Sequence, residues 1–174
     1  MKEHIGRILL SEDMILQRVQ ELGQQISNDY QGREITIVCV LKGAVIFLAD
    51  LLRSLDASAN LDFIQVYSYG DGTETTGEVS LTRDLTVNIQ GRDVLVVDDI
   101  ADSGLTLQYL RKTLLAKQPA SLKLCVLLNK TERRIVDLEI DYVGFEIPDE
   151  FIVGYGLDYA GHYRGLCYIA TLEL

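Results

Sequence analysis

The chain has 174 residues, 48% hydrophobic and 24% charged with only two prolines, which fits one globular domain with its own core and excludes a disordered or fibrous protein. Its net charge of −10 repels polyanions, and with no Lys/Arg stripe to neutralise a phosphate backbone it argues against nucleic acid as a partner. A small anionic ligand would have to be held by backbone N–H groups, a few placed cations and a metal.

In chain order, Met1 to Leu10 has no apolar stretch long enough for a signal peptide. Ser11 then stands as an N-cap before Ile15, Val19, Leu22 and Ile26, whose spacing predicts an amphipathic helix that opens the fold and ends at Gly32. Ile35 to Leu41 is a continuous, β-branched apolar run, the pattern of a strand buried on both faces. Lys42-Gly43 breaks it, and Ala44 to Leu55 returns to helical character. The apolar run Ile35 to Ala49 is interrupted at Lys42 and Gly43, so no membrane span or membrane partner is expected. Ser68 to Val79 (SYGDGTETTGEV) has three glycines and no apolar anchor in its middle, which predicts a mobile excursion.

Val94 to Val97 reads as a second buried strand, Asp98 to Gly104 as a polar loop, and Leu105 to Ala116 as a helix with Leu107, Leu110 and Leu114 on one face. Leu122 to Leu128 is another buried strand; Tyr142 to Ile147 and Val153 to Tyr155, around Pro148, read as an appended β-subdomain. Strands alternating with helices imply right-handed crossovers and a mainly parallel sheet, with ligands beyond the carboxyl ends of the strands. Cys39, Cys125 and Cys167 are odd in number, lack C-x-x-C spacing and lie in apolar segments, so they are expected to be reduced core residues of a cytoplasmic protein. His4 and His162 show no ligand spacing, which disfavours a structural zinc.

The densest chemistry is VLVVDDIADSGLT, Val94 to Thr106. Asp98 and Asp99 emerge where a buried strand ends, and Asp102-Ser103-Gly104 turns directly into a helix start, with Thr106 one step on. A helix N-terminus presents unpaired N–H groups, Gly104 allows close approach, and the hydroxyls of Ser103 and Thr106 add donors, which suits a phosphomonoester. Carboxylates beside such a cradle repel phosphate, whereas the vicinal hydroxyls of a ribose are good donors for Asp98 and Asp99. The alternative is that Asp98 and Asp102 merely cap the helix.

This stretch closely resembles the phosphoribosyl pyrophosphate signature of the type I phosphoribosyltransferases. The resemblance extends, through VLKGAVIFLADL, SYGDGTETTGEV, LLNKTERR and VGFEIPDEFIVGYGLDYAGHYRGL, to the hypoxanthine-guanine branch of that family. Relatives commonly carry Glu-Asp where this chain has Asp98-Asp99. The resemblance implies an α/β fold over residues 1–174, a mainly parallel twisted sheet flanked by helices, with a β-rich hood from the N- and C-terminal segments. It implies transfer of the phosphoribosyl group to a 6-oxopurine, with Mg²⁺ as cofactor and a homodimer or homotetramer as the assembly.

By the same resemblance, Asp102 is the general acid or base, and Asp98, Asp99, Ser103, Gly104 and Thr106 hold the ribose 5-phosphate. Lys42, Gly43, Ser68, Tyr69 and Arg164 meet pyrophosphate, the peptide before Lys42 being able to adopt a cis form, and Tyr69 to Gly77 acts as a lid. Lys130, Phe151, Ile152 and Asp158 read the purine, and Asp158 joins Asp98 and Asp99 as a magnesium ligand. Lys130 is a donor only, so it suits an oxygen at purine position six and clashes with the amino group of adenine.

Three rivals share fragments of these signals. A phosphoacceptor receiver also has an acidic pair ending a strand, but there the pair opens the domain. An RNA-binding regulator on the same fold needs a basic face, which a chain of charge −10 does not offer. Prenyl-diphosphate sites use D-D-x-x-D on long helices, whereas Asp98 to Asp102 follows a strand.

Overall fold

The computed structural model describes residues 4–68 and 79–173. Helix α1 (Glu12–Asp29) starts where Ser11 Oγ accepts the Met14 N–H at 3.3 Å, with Glu12 and Asp13 in the first turn complementing the helix dipole. Its Ile15, Val19, Leu22 and Ile26 are all buried. The fold does not open on this helix, however: strand β1 (His4–Leu10) precedes it. Because β1 lies at a sheet edge with Ile5 and Ile8 exposed, it lacks the clean apolar alternation that would have announced it.

Strand β2 (Ile35–Leu41) leads into α2 (Val45–Ser54), then β3 (Ala59–Ser68), β4 (Val79–Arg83), β5 (Asp93–Ala101), α3 (Leu105–Leu115), β6 (Ser121–Asn129) and β7 (Tyr142–Glu146). Six of these strands form one sheet in the order β4-β3-β2-β5-β6-β7, parallel throughout except for the β3–β4 pair. Along β2 the faces alternate. Ile35, Ile37 and Cys39 pack with α1 and α2, while Val38 and Val40 pack with Leu107, Leu110 and Leu114 of α3. A strand covered on both faces has little room for polar side chains, which is why β2 reads as an apolar run interrupted only by the buried Thr36.

The hood is a separate three-stranded antiparallel sheet in the order β1-β9-β8, with β8 (Ile152–Val153) and β9 (Ile169–Glu173). Tyr142 to Glu146, expected in the hood, instead pairs in parallel with β6, Tyr142 opposite Cys125. Cys39 and Cys125 are buried, but Cys167 is exposed, contrary to its expected core placement. Among the described residues no helix is long and apolar enough to cross a membrane.

Candidate active site

All the parallel strands end at one edge, so the segments that follow β2, β5 and β6 are neighbours there. Strand β5 runs further than its polarity suggests, because Asp98 and Ile100 stay in the ladder opposite Val126 and Leu128; the loop therefore begins at Asp102, not Asp98. Gly104 then takes a left-handed φ of 87° and serves as the N-cap of α3 with no side chain to offer, so neither aspartate occupies the cap position. The first N–H groups of α3 stay available to an anion, apart from Leu105 N–H, which donates to Ser103 Oγ at 3.4 Å.

A cavity of about 370 Å³ opens at this edge. It brings together Lys42 and Gly43, Asp98 and Asp99, Asp102 to Gly104, Thr106, Asp158 and Arg164. The Leu41–Lys42 peptide is cis. A Cβ on Gly43 would lie 1.6 Å from Asp99 Oδ2, so only glycine lets the loop after β2 close onto that carboxylate. Arg164 is tied down by its Nη1, which donates to Gly156 O at 2.6 Å, and by an ion pair with Asp158; Asp158 Oδ2 in turn accepts the Gly161 N–H at 2.8 Å.

Lys130, Phe151 and Ile152 do not line this cavity. Lys130 is 5% exposed and its Nζ donates to Glu150 O at 2.8 Å, which fixes the segment carrying Phe151. Phe151 is 43% exposed with its ring edge-on to Tyr159 at 5.5 Å, so one flank remains open, while Ile152 is buried. Ser68 closes β3 at the same edge; Tyr69 and the expected lid to Gly77 lie outside the described residues. Two charged residues at the site escaped the sequence reading. Arg133 Nε is 3.4 Å from Asp102 Oδ1, and Asp149 Oδ1 is 3.5 Å from Lys130 Nζ; no local motif announces pairs so far apart in sequence.

Asp98 and Asp99 carry the strongest electrostatic signature. Burial raises both carboxyls above their ordinary range, and the neighbouring Asp99 charge pushes Asp98 up further, while hydrogen bonds from Asp98 and the backbone, and last the Arg164 charge, partly offset the shift on Asp99. The fold thus keeps two acids close where a hydroxyl donor or a cation would relieve them. Because the folded Asp98 holds its proton to higher pH than the unfolded one, stability is lost as pH rises from the unfolded value of roughly 4 through the folded one. Asp98→Asn, which keeps the acceptor for Asp99 N–H, should therefore raise the melting temperature at neutral pH by about 2 °C or more, and the gain should vanish toward pH ~4. Thermal unfolding across pH checks this; a variant less stable than the parent at pH ~7 contradicts it.

Asp98, Asp99 and Asp158 bring hard carboxylate oxygens to the cavity, a donor set that suits Mg²⁺. Among the described residues no three His, Cys, Asp or Glu side chains converge into a metal cage.

A family model for the phosphoribosyl transferase domain matches residues 8–160. The hypoxanthine-guanine phosphoribosyltransferase of Streptococcus thermophilus is 46% identical over 173 residues, 99% of this chain and 96% of the relative. The bifunctional protein TilS/HprT of Listeria monocytogenes is 47% identical over 99% of this chain, which spans 27% of that longer protein. A crystal structure of a hypoxanthine-guanine phosphoribosyltransferase from Bacillus anthracis, 48% identical, superposes with a TM-score of 0.93 over 99% of this chain and 100% of the other. With domain match, relatives and three-dimensional likeness in agreement along nearly its whole length, the chain belongs to the hypoxanthine-guanine phosphoribosyltransferases of the type I phosphoribosyltransferase family.

Proposed function

We propose that the chain performs the purine-salvage reaction of its family, joining a 6-oxopurine to phosphoribosyl pyrophosphate, with a definite division of labour among its residues. The observation that carries this reading is the single cavity that unites the open N-terminus of α3, the Lys42-Gly43 turn, Arg164 and the Asp98-Asp99 pair. The α3 N-terminus with Ser103, Gly104 and Thr106 holds the 5-phosphate. Asp98 and Asp99 accept hydrogen bonds from the ribose hydroxyls. Lys42, Gly43 and Arg164, with Ser68 and Tyr69, receive the pyrophosphate.

As the purine nitrogen bonds to the anomeric carbon, the bond to the pyrophosphate oxygen breaks and the pyrophosphate leaves with its electron pair. The purine imidazole proton passes to Asp102. Asp98, Asp99 and Asp158 would hold Mg²⁺, which supplies charge neutralisation on the leaving group. Lys130 donates to the oxygen at position six, Phe151 covers the purine face, and Ile152 and Asp158 meet its edge. The reading extends to a single domain over residues 1–174, a cytoplasmic location and a homodimeric or homotetrameric assembly, with no nucleic-acid or membrane partner.

Pyrophosphate release from phosphoribosyl pyrophosphate and Mg²⁺ tests this reading. Release should require added hypoxanthine or guanine, and the same rate without any purine, or none with either, contradicts it. Lys130→Ala should lose oxopurine use while keeping its affinity for the sugar phosphate. Steady-state kinetics and direct titration decide, and equal losses on both substrates would remove Lys130 from the purine site.

A further inference from the structure

We propose that Arg133 is a positioning residue for the reaction: its guanidinium aims the Asp102 carboxylate at the purine, and Asp149 holds Arg133 in place and ties it to Lys130. The inference rests on the reading of Asp102 as the proton acceptor.

The short 3₁₀ turn Thr131–Arg133 is flanked by residues that bond to the main chain of Ala101, Asp102 and Ser103. Lys130 N–H donates to Ala101 O at 2.9 Å, Ile135 N–H to Ser103 O at 3.1 Å, and Arg134 Nε to Asp102 O at 3.4 Å. These bonds fix the backbone of Asp102 and leave its carboxylate free to turn. Oδ1 of that carboxylate is buried and has no hydrogen bond, yet Arg133 Nε stands 3.4 Å from it. A charge at that distance without hydrogen-bond geometry orients the group while leaving its lone pairs open. An oxygen already saturated by donors would be a poor proton acceptor.

On its other side Arg133 reaches Asp149, with Nη1 at 3.7 Å from Oδ1, and the same Oδ1 lies 3.5 Å from Lys130 Nζ. The four groups form a row of alternating sign that joins the proton acceptor to the lysine that reads position six. Arg133, Asp102 and Asp149 have side chains 41%, 42% and 46% exposed. Exposed ion pairs contribute at most about 1 kcal/mol to stability, so the two pairs made by Arg133 cannot matter much to folding. Its placement beside Asp102 points instead to orientation of the reacting groups.

Single-turnover rates of Arg133→Gln and Arg133→Lys, each alone and combined with Asp102→Asn, test the inference. Arg133→Gln should slow the chemical step by about 10–10²-fold, the cost of a misplaced reacting group, and Arg133→Lys should recover part of that loss. Affinity for phosphoribosyl pyrophosphate should stay within about twofold, and so should the further effect of Arg133→Gln once Asp102 is already asparagine. An equal loss in both backgrounds, a melting temperature lowered by more than about 2 °C, or a normal rate in Arg133→Gln would each overturn the positioning role. If Asp102→Asn alone turns over normally, the proton-acceptor assignment fails first and this inference falls with it.

Discussion

Asp102→Asn should lower the single-turnover rate by about 10²–10⁴-fold, equivalent to about 3–5 kcal/mol of transition-state stabilisation. Asparagine keeps the size and the acceptor oxygen, so the loop keeps its main-chain bonds: Arg134 Nε still meets the residue 102 carbonyl, and Ile135 N–H still meets Ser103 O. What disappears is the capacity to take a proton as the glycosidic bond forms. Affinity for phosphoribosyl pyrophosphate should change little, because the partner assigned to the Asp102 carboxylate is the purine nitrogen and not the sugar phosphate. Asp99→Asn makes the contrast. Its carboxylate packs against Gly43, and its assigned partners are the ribose hydroxyls. If those contacts are alike in ground and transition states, the loss appears mainly in KM. Parallel titration and single-turnover measurements on the two variants separate the roles, and a near-normal single-turnover rate for Asp102→Asn would return that carboxylate to a structural one.

Removing divalent metal should abolish turnover altogether, with full recovery on adding Mg²⁺. Pyrophosphate brings several negative charges into a chain whose own net charge is −10, and next to Asp98 and Asp99, whose burial already disfavours ionisation. Lys42 and Arg164 are the cations of the cavity lining, too few to balance that load. A hard cation shared between these carboxylates and the substrate oxygens meets the deficit. Activity assayed in chelator and then with graded Mg²⁺ checks the expectation; sustained turnover in metal-free buffer contradicts it.

The parallel core and most of the site could be read from the sequence because their signals are local. Ile35 to Leu41 is apolar at all positions but Thr36 since the sheet is covered on both faces, and Asp98 to Thr106 carries its acids, glycine and hydroxyls within one strand–loop–helix unit. What the sequence concealed is pairing across long separations. Strand β1 finds its partner in β9 at the other end of the chain, His4 opposite Glu173. Nothing near Tyr142 announces that it joins β6 rather than the hood. The polarity of Asp98 and Asp99 hid the last turn of the β5 ladder, since acids at a strand end look like loop. The contacts of Arg133 and Asp149 were hidden for the same reason: their partners, Asp102 and Lys130, come from other segments.

The nucleotides formed from a mixture of equal hypoxanthine, guanine and adenine, with phosphoribosyl pyrophosphate and Mg²⁺, report directly on the proposed chemistry. Resolved by chromatography, the products should be the hypoxanthine or guanine nucleotide or both, with adenine left unconverted, because Lys130 offers donors alone and faces a donor in the amino group of adenine. Adenine nucleotide formed at a comparable rate, or no nucleotide from either 6-oxopurine, would contradict the account.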